Sequence, residues 1–245
     1  WFGGEPLIGG LDFFKEALRL EREKHFECGM EFRNSIQSNG VLLTDEMIDF
    51  FQKNNIKISF SYDCEYNDIL RQHTAETVNA ILRCRQRGMN VGIISVIHKM
   101  NFRYQKEMID TCNELGVSYK FNRIFSEGKA SNSTFLINNE DYVTEMKKLF
   151  KKWLFEDSSK PFRTFSIVLD SLYGQSGREC VYNGCMFKWL ALSPSGEVYT
   201  CPRFFNTDLS LGNFNEYEKI SDIFYSNRYT KIVEKTLKRI KECAK

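Results

Sequence analysis

Trp1-Phe2-Gly3-Gly4-Glu5-Pro6-Leu7 opens the chain and decides how the rest is read. Two aromatics with the character of a buried strand end run into two glycines, a carboxylate and a proline. Glycine has no Cβ, so the backbone at Gly3 and Gly4 can approach a ligand closely. Glu5 is suited to accept hydrogen bonds from an ammonium group. Pro6 stiffens the exit and donates no backbone N–H. A strand end that turns through a tight polar loop is where α/β proteins hold their ligands. One such turn carries little specificity, so the following segments have to support the reading.

Working outward, apolar positions Leu11, Phe14 and Leu18 keep helical spacing to about Lys24. Glu31 to Gln37 reads as a strand closed by the turn Ser38-Asn39-Gly40. Thr44 opens a helix to about Lys53, and Lys57 to Tyr62 is the next strand. Thr74 to Arg87 is a helix ended by Gly88, and Asn90 to His98, rich in β-branched residues, a strand. Phe102 to Leu115 (helix), Val117 to Phe125 (strand) and Asn138 to about Phe155 (helix) continue the alternation. This is the pattern of βα units around a parallel sheet, although periodicity does not separate an open sheet from a barrel.

After Ser158 the character changes. Ser171 to Tyr182 is polar and glycine-rich, and Pro194-Ser195-Gly196 joins two short apolar runs as a β-hairpin. Ile220 to Lys241 reads as one helix, with a basic end that is the solvated face of an amphipathic segment. The boundary falls near 160–172, giving domains 1–165 and 166–245.

Composition narrows the partners. Of 245 residues, 34 are Lys or Arg and 32 Asp or Glu, so the net charge of +2 gives no case for nucleic acid or an anionic membrane. No apolar run approaches the ~18–20 residues that span a bilayer. No signal peptide is visible, and a first residue that is not Met suggests a fragment of a longer chain. Cysteines stand at 28, 64, 84, 112, 180, 185, 201 and 243. Their scatter, with Cys180, Cys185 and Cys201 gathered together, fits a reduced cytoplasm and thiolates reserved for metal better than a disulfide framework.

The strand ends carry polar side chains. Strand alternation sets Ser35 and Gln37 on one face, and Ser59 and Ser61 on one face. Polar groups on an otherwise apolar sheet are costly unless they meet each other, water or a ligand. His98 and Asn122-Arg123 end the next two strands.

Phe2-Gly3-Gly4-Glu5-Pro6-Leu7, Ser35-Ile36-Gln37-Ser38-Asn39-Gly40 and Ile58-Ser59-Phe60-Ser61-Tyr62-Asp63, with Asp68 and Arg71 beyond, resemble radical S-adenosylmethionine (SAM) enzymes. The resemblance implies a partial (β/α)6 TIM-like barrel lacking its first β/α unit, followed by a small cysteine-containing β-hairpin and helix domain. It implies that Gly3, Gly4 and Glu5 receive the SAM ammonium, that Ser61 with Ser59 helps bind SAM, and that Arg71 meets the methionine carboxylate. Gln37 and Asn39 match a polar strand end lining the same cavity. Arg71 also reads as a surface partner of Asp68 or Glu65.

Cys185, ten residues, Gly196, four residues and Cys201, with Leu192 to Cys201 between and Leu211-Gly212-Asn213 after, resemble the SPASM (twitch-type) auxiliary cluster domain. A thiolate just past a glycine turn suits iron–sulfur ligation. The resemblance adds Cys180 and Cys243 as further ligands, against a reading of these cysteines as buried thiols or a zinc site. The family's three-cysteine loop for the catalytic 4Fe–4S cluster belongs upstream of Trp1. As given, the chain is therefore expected to bind part of SAM without cleaving it.

The implied parent is a cytoplasmic oxidoreductase that abstracts hydrogen from a peptide or protein through a 5′-deoxyadenosyl radical. Its electron donor would be a flavodoxin or ferredoxin. The resemblance favours ribosomal peptide maturation by a thioether or C–C cross-link, because Pro202-Arg203 stands where sulfatase maturases have an aspartate after the cysteine. Anaerobic sulfatase maturation (formylglycine formation) is the alternative, and a non-catalytic peptide binder that kept the barrel is another. Cys28, Cys84 and Cys112 read as packing residues. Cys64, where the family usually has glycine, reads as a tolerated small residue within reach of the cavity mouth.

Overall fold

The computed structural model describes residues 1–126, 134–156, 162–174, 189–205 and 207–243. The chain divides into two compact units, Trp1–Ser166 and Ile167–Lys245.

The first unit is a parallel sheet in the order β1 (Ser35–Ser38), β2 (Lys57–Ser61), β3 (Val91–Ile97) and β4 (Ser118–Arg123). Helices α1 (Gly10–Cys28), α2 (Asp45–Lys53), α3 (Asn67–Leu70), α4 (Thr74–Gln86), α5 (Gln105–Glu114) and α6 (Asn139–Glu156) accompany it, α2 to α5 in the crossovers between strands. The sequence dictates which face each strand buries. Ile36, Ile58, Phe60, Val91, Ile93, Ile97 and Phe121 are buried and join Phe14, Phe51, Ile81 and Met108 from the helices in one core. The alternate residues, Gln37, Ser59, Ser61, Gly92, Ile94 and Lys120, are half-buried on the opposite face. Register sets them in rows: Gln37 opposite Ser59, Ser59 opposite Gly92, and Gly92 opposite Ser118. One residue of slip in any strand would exchange the two faces.

Local chemistry sets the ends. The Thr44 hydroxyl caps α2 by accepting from the Met47 N–H at 3.2 Å. Gly40 turns at φ 80°, and a Cβ there would lie 2.8 Å from the Phe60 ring and 2.9 Å from Ala80 Cβ. The turn after β1 thus requires glycine for both its dihedral and its room.

Several expectations change. The strand expected from Glu31 begins at Ser35, because α1 runs on to Cys28 and Gly29 closes it in the left-handed conformation. Trp1 and Phe2 are 39% and 56% exposed, not buried. Trp1 is nonetheless strand-like in its bonds, since its ammonium donates to Ser35 O and its carbonyl accepts from Gln37 N–H. A helix unforeseen in the sequence, α7 (Arg163–Leu172), follows, and Phe162 and Phe165 are buried at its start.

The second unit holds the expected hairpin, β5 (Ala191–Leu192) and β6 (Glu197–Tyr199), antiparallel across the Pro194-Ser195-Gly196 turn. A third strand, β7 (Gly212–Asn213), pairs with β6. The expected single C-terminal helix is two, α8 (Ile220–Tyr225) and α9 (Asn227–Cys243), because Ser226 is extended and its hydroxyl accepts from Tyr229 N–H. Val198, Leu211, Ile223, Tyr229 and Ile232 form a small separate core.

Candidate functional site

The residues expected at the strand ends meet at the C-terminal edge of the sheet, with Glu5 at the centre. Its Oε1 accepts from the Ser38 hydroxyl at 2.8 Å and from Leu7 N–H at 3.0 Å, and its Oε2 from Asn39 N–H at 2.9 Å. Three protein donors therefore occupy most of the acceptor positions of this carboxylate. Glu5 ties the opening turn to the end of β1 and holds Gly3 and Gly4, at φ 87° and 61°, as an exposed backbone arch. A Cβ on Gly4 would meet nothing within 4 Å, so the arch faces open space.

Gln37 and Ser61 are brought into direct contact, with Gln37 Nε2 donating to Ser61 Oγ at 3.0 Å. Ser59 lies one row nearer the strand starts, and its hydroxyl donates to Ile36 O at 3.2 Å. Asn39 turns its side chain back into its own loop, where Oδ1 accepts from Val41 N–H at 2.9 Å. Arg71 partners neither Asp68 nor Glu65. Its Nε donates to Asp63 Oδ2 at 2.8 Å. Asp63 is wholly buried, and its other oxygen accepts from Val96 N–H at 2.7 Å, so one carboxylate aligns β2, β3 and the arginine together. Asp63 and Ser38 are the residues whose structural importance sequence reasoning missed. Their signal was position, since each is a polar residue at a strand end beside a candidate ligand residue.

His98 is fully buried just past β3, with Nδ1 accepting from Met100 N–H at 3.2 Å and Nε2 without a partner. Burial lowers its pKa; Asp63 opposes and Arg71 adds to that shift. Cys64 does not reach the cavity mouth. Its thiol is buried 3.9 Å from that of Cys112, and hydrogen bonding with Cys112 and burial push its pKa far up. Its φ of 54° is the left-handed backbone natural to a glycine position. Cys84 is also buried, its thiol pushed up to about 11 by desolvation. Cys28 is exposed and so is not a packing residue.

Of the expected cluster ligands, Cys180 and Cys185 lie outside the described residues, as does the side chain of Cys243. Cys201 stands half-buried and extended directly after the β6 edge, and Pro202 then starts a tight turn. Gly196 at φ 86° shapes the hairpin before it, since a Cβ would lie 2.9 Å from Asn213 Nδ2. Among the described residues no group of three metal-binding side chains converges.

Two recesses flank this geometry. The larger, about 750 Å³, lies beside α1 and the starts of β1 and β2, where Phe26, Met30, Phe32 and Lys57 line it. It gathers none of the expected site residues. The second, about 580 Å³, includes Ser59 and lies on the polar face of the sheet. No helix among the described residues is long and apolar enough to cross a membrane.

A sheet edge built from a Gly-Gly-Glu arch and a Gln–Ser contact, followed by a cysteine-bearing hairpin, has counterparts. Residues 1–112 match the Radical SAM superfamily and residues 180–245 match SPASM, an iron-sulfur cluster-binding domain. The chain thus resembles radical SAM enzymes over its first part and a SPASM domain over its last. It is similar to a serine-type anaerobic sulfatase-maturating enzyme of Klebsiella aerogenes, 26% identical over 231 residues, with 88% of this chain and 56% of the relative covered. A cysteine-type enzyme of Clostridium perfringens is 24% identical over 263 residues, covering 99% and 69%. The chain thus spans little more than half of the Klebsiella relative. In fold it resembles anSMEcpe with bound AdoMet and Cp18Cys peptide, at TM-score 0.81, 22% identity and coverage of 94% and 67%. Streptococcus suis SuiB bound to S-adenosylmethionine aligns at TM-score 0.66 and 15% identity, covering 94% and 55%.

Proposed function

We propose that this chain is the SAM-holding and auxiliary-cluster part of a radical SAM/SPASM oxidoreductase that modifies a peptide or protein. The observation that carries the reading is the open Gly3-Gly4 arch, fixed by Glu5 to the same strand edge at which Gln37 meets Ser61. Bound SAM beside a 4Fe–4S cluster supplies a radical that removes a substrate hydrogen atom. The chain's own part is to bind and orient. Carbonyls of the arch accept from the SAM ammonium, and the fourth acceptor position of Glu5 remains for a further donor. Ser61, held by Gln37, and Ser59 below it line the approach, with Asn39 shaping the loop beside them. Arg71, anchored through Nε, presents its outer guanidinium edge to a carboxylate. Cys201, with Cys180, Cys185 and Cys243, holds auxiliary iron–sulfur clusters, and the thiolate just past the Gly196 turn fits that role. The reading places the protein in the cytoplasm, with a flavodoxin or ferredoxin as electron donor.

Ribosomal peptide cross-linking is the preferred reaction, on the strength of Pro202 and Arg203 following Cys201. The maturase relatives support formylglycine formation as the second reading. The test is anaerobic reconstitution of the full-length protein with iron and sulfide, followed by assay for 5′-deoxyadenosine. Production of that nucleoside is expected, and its absence from a reductant-treated, cluster-loaded protein would overturn the enzyme reading in favour of a peptide binder. A hydrazide probe then separates the products, because it captures a formylglycine aldehyde and leaves a thioether or C–C cross-link untouched.

A further inference from the structure

Two thiols of the first unit take no part in the reading above. Cys64 follows Asp63 and opens the short turn Cys64–Tyr66 after β2, while Cys112 lies on α5, 48 residues further along. Both are wholly buried, and their Sγ atoms lie 3.9 Å apart. Cys64 Sγ donates to Met108 O at 3.6 Å, which leaves its sulfur as acceptor for the Cys112 thiol. Met108 and Cys112 stand one turn apart on α5, so the Cys64 sulfur rests against a single face of that helix. The backbone at Cys64 has φ 54°, a left-handed conformation that residues with a Cβ rarely adopt. In that conformation the turn sets its thiol against α5. Sulfurs in a disulfide are about 2.05 Å apart, so this pair has to close by about 2 Å. Rotation about the two Cα–Cβ bonds moves sulfurs by that order.

We propose that Cys64 and Cys112 are a peroxide-sensitive pair, whose two-electron oxidation closes a disulfide between the turn after β2 and α5. One thiol, as its thiolate, attacks a peroxide oxygen. An S–O bond forms, the O–O bond breaks and water leaves, giving a sulfenic acid. The second sulfur attacks the sulfenic sulfur; S–S forms, S–O breaks and a second water leaves. Peroxide thus gains the two electrons that the thiols lose, and their two protons end in water. In the closed turn, burial and the contact with Cys112 keep Cys64 as an unreactive thiol. The first step therefore proceeds through local opening of the turn, which restores an ordinary thiol. When the turn recloses, the neighbouring thiol captures the sulfenic acid before it is oxidised further. Cys84, buried with a thiol pushed up to about 11, is the control for burial. The pair contains no residue assigned to SAM and does not rest on the cofactor reading.

The experiment treats reduced, iron-free full-length protein with hydrogen peroxide for up to a day. Free thiols are then blocked with N-ethylmaleimide in denaturant, and the peptides are mapped by mass spectrometry. A linked Cys64–Cys112 peptide is expected, lighter than its parts by two hydrogen atoms and split again by dithiothreitol, with Cys84 still carrying maleimide. Cys112→Ser should abolish the link and let Cys64 pass on to sulfinic acid. Cys64→Gly suits the left-handed turn, and should leave Cys112 unlinked even if the serine variant fails to fold. Both thiols recovered as maleimide adducts after the full exposure would overturn the proposal. So would their oxidation to sulfinic acids without a link, pairing of Cys64 with a third cysteine, or a link that forms only once Cys84 is oxidised as well.

Discussion

Single residues at the strand ends make bonds that differ from the roles their sequence suggests. Glu5 looked like an acceptor for a ligand and acts first as a strut between the opening turn and β1. Arg71 looked divided between a ligand and a surface pair, and instead one face of its guanidinium is held by buried Asp63. Asp63→Asn should destabilise the first unit by about 2–4 kcal/mol, because removing one partner of a largely buried pair leaves the other uncompensated, moderated here by Arg71 being partly exposed. The same variant should weaken SAM binding, and calorimetric titration with denaturant unfolding reads both effects. His98 gives a pH signature. Burial depresses its folded pKa, so below its ordinary value of 6.5 the unfolded state takes up the proton first. Stability therefore falls as pH drops from about 6.5 through the lower folded value. His98→Gln should flatten that part of the profile, measured as the difference in unfolding free energy between the two proteins at pH 7.5 and about 5.5. Neither the Asp63 bond nor the burial of His98 was legible in the sequence, because both depend on which strand lies beside which.

At the scale of elements, turns and caps were the most readable parts. Thr44 was expected to open a helix and caps α2. Thr44→Ala should lower stability by about 1 kcal/mol, while Thr44→Ser should change it little; denaturation midpoints at unchanged slope would check both. Gly40→Ala adds a methyl group against Phe60 and Ala80 in a left-handed backbone, for a loss of about 2–4 kcal/mol. In the second unit, Gly196→Ala should displace the β6 edge that presents Cys201, and iron content after reconstitution should fall relative to the parent protein. The helix α7 was missed because its run is short and holds the β-branched residues Thr164, Ile167 and Val168, whose local preference is for strands, and the break at Ser226 because a serine inside an amphipathic pattern looks continuous with it.

For the whole molecule, two separate cores lie in the two compact units, one in each. Cys201→Ala in the full-length protein should lower bound iron while leaving SAM affinity unchanged; a parallel loss of SAM binding would show that the two are coupled. Alternation of βα units, the polar strand ends, the glycine turns and the Cys185–Gly196–Cys201 spacing were all present in the linear chain. They were enough to point to the α/β class, because periodicity and turn dihedrals are local properties of sequence, while the likeness to radical SAM and SPASM sequences lay in the resemblance of whole motifs. Tertiary structure decided the rest: that Asp63 bridges two strands to Arg71, that Cys64 faces Cys112, and that Ser59, Gly92 and Ser118 align into one cavity floor. These are contacts between residues far apart in the chain. Only packing of the sheet, through register and burial, brings such groups to hydrogen-bonding distance and sets which of their atoms face one another.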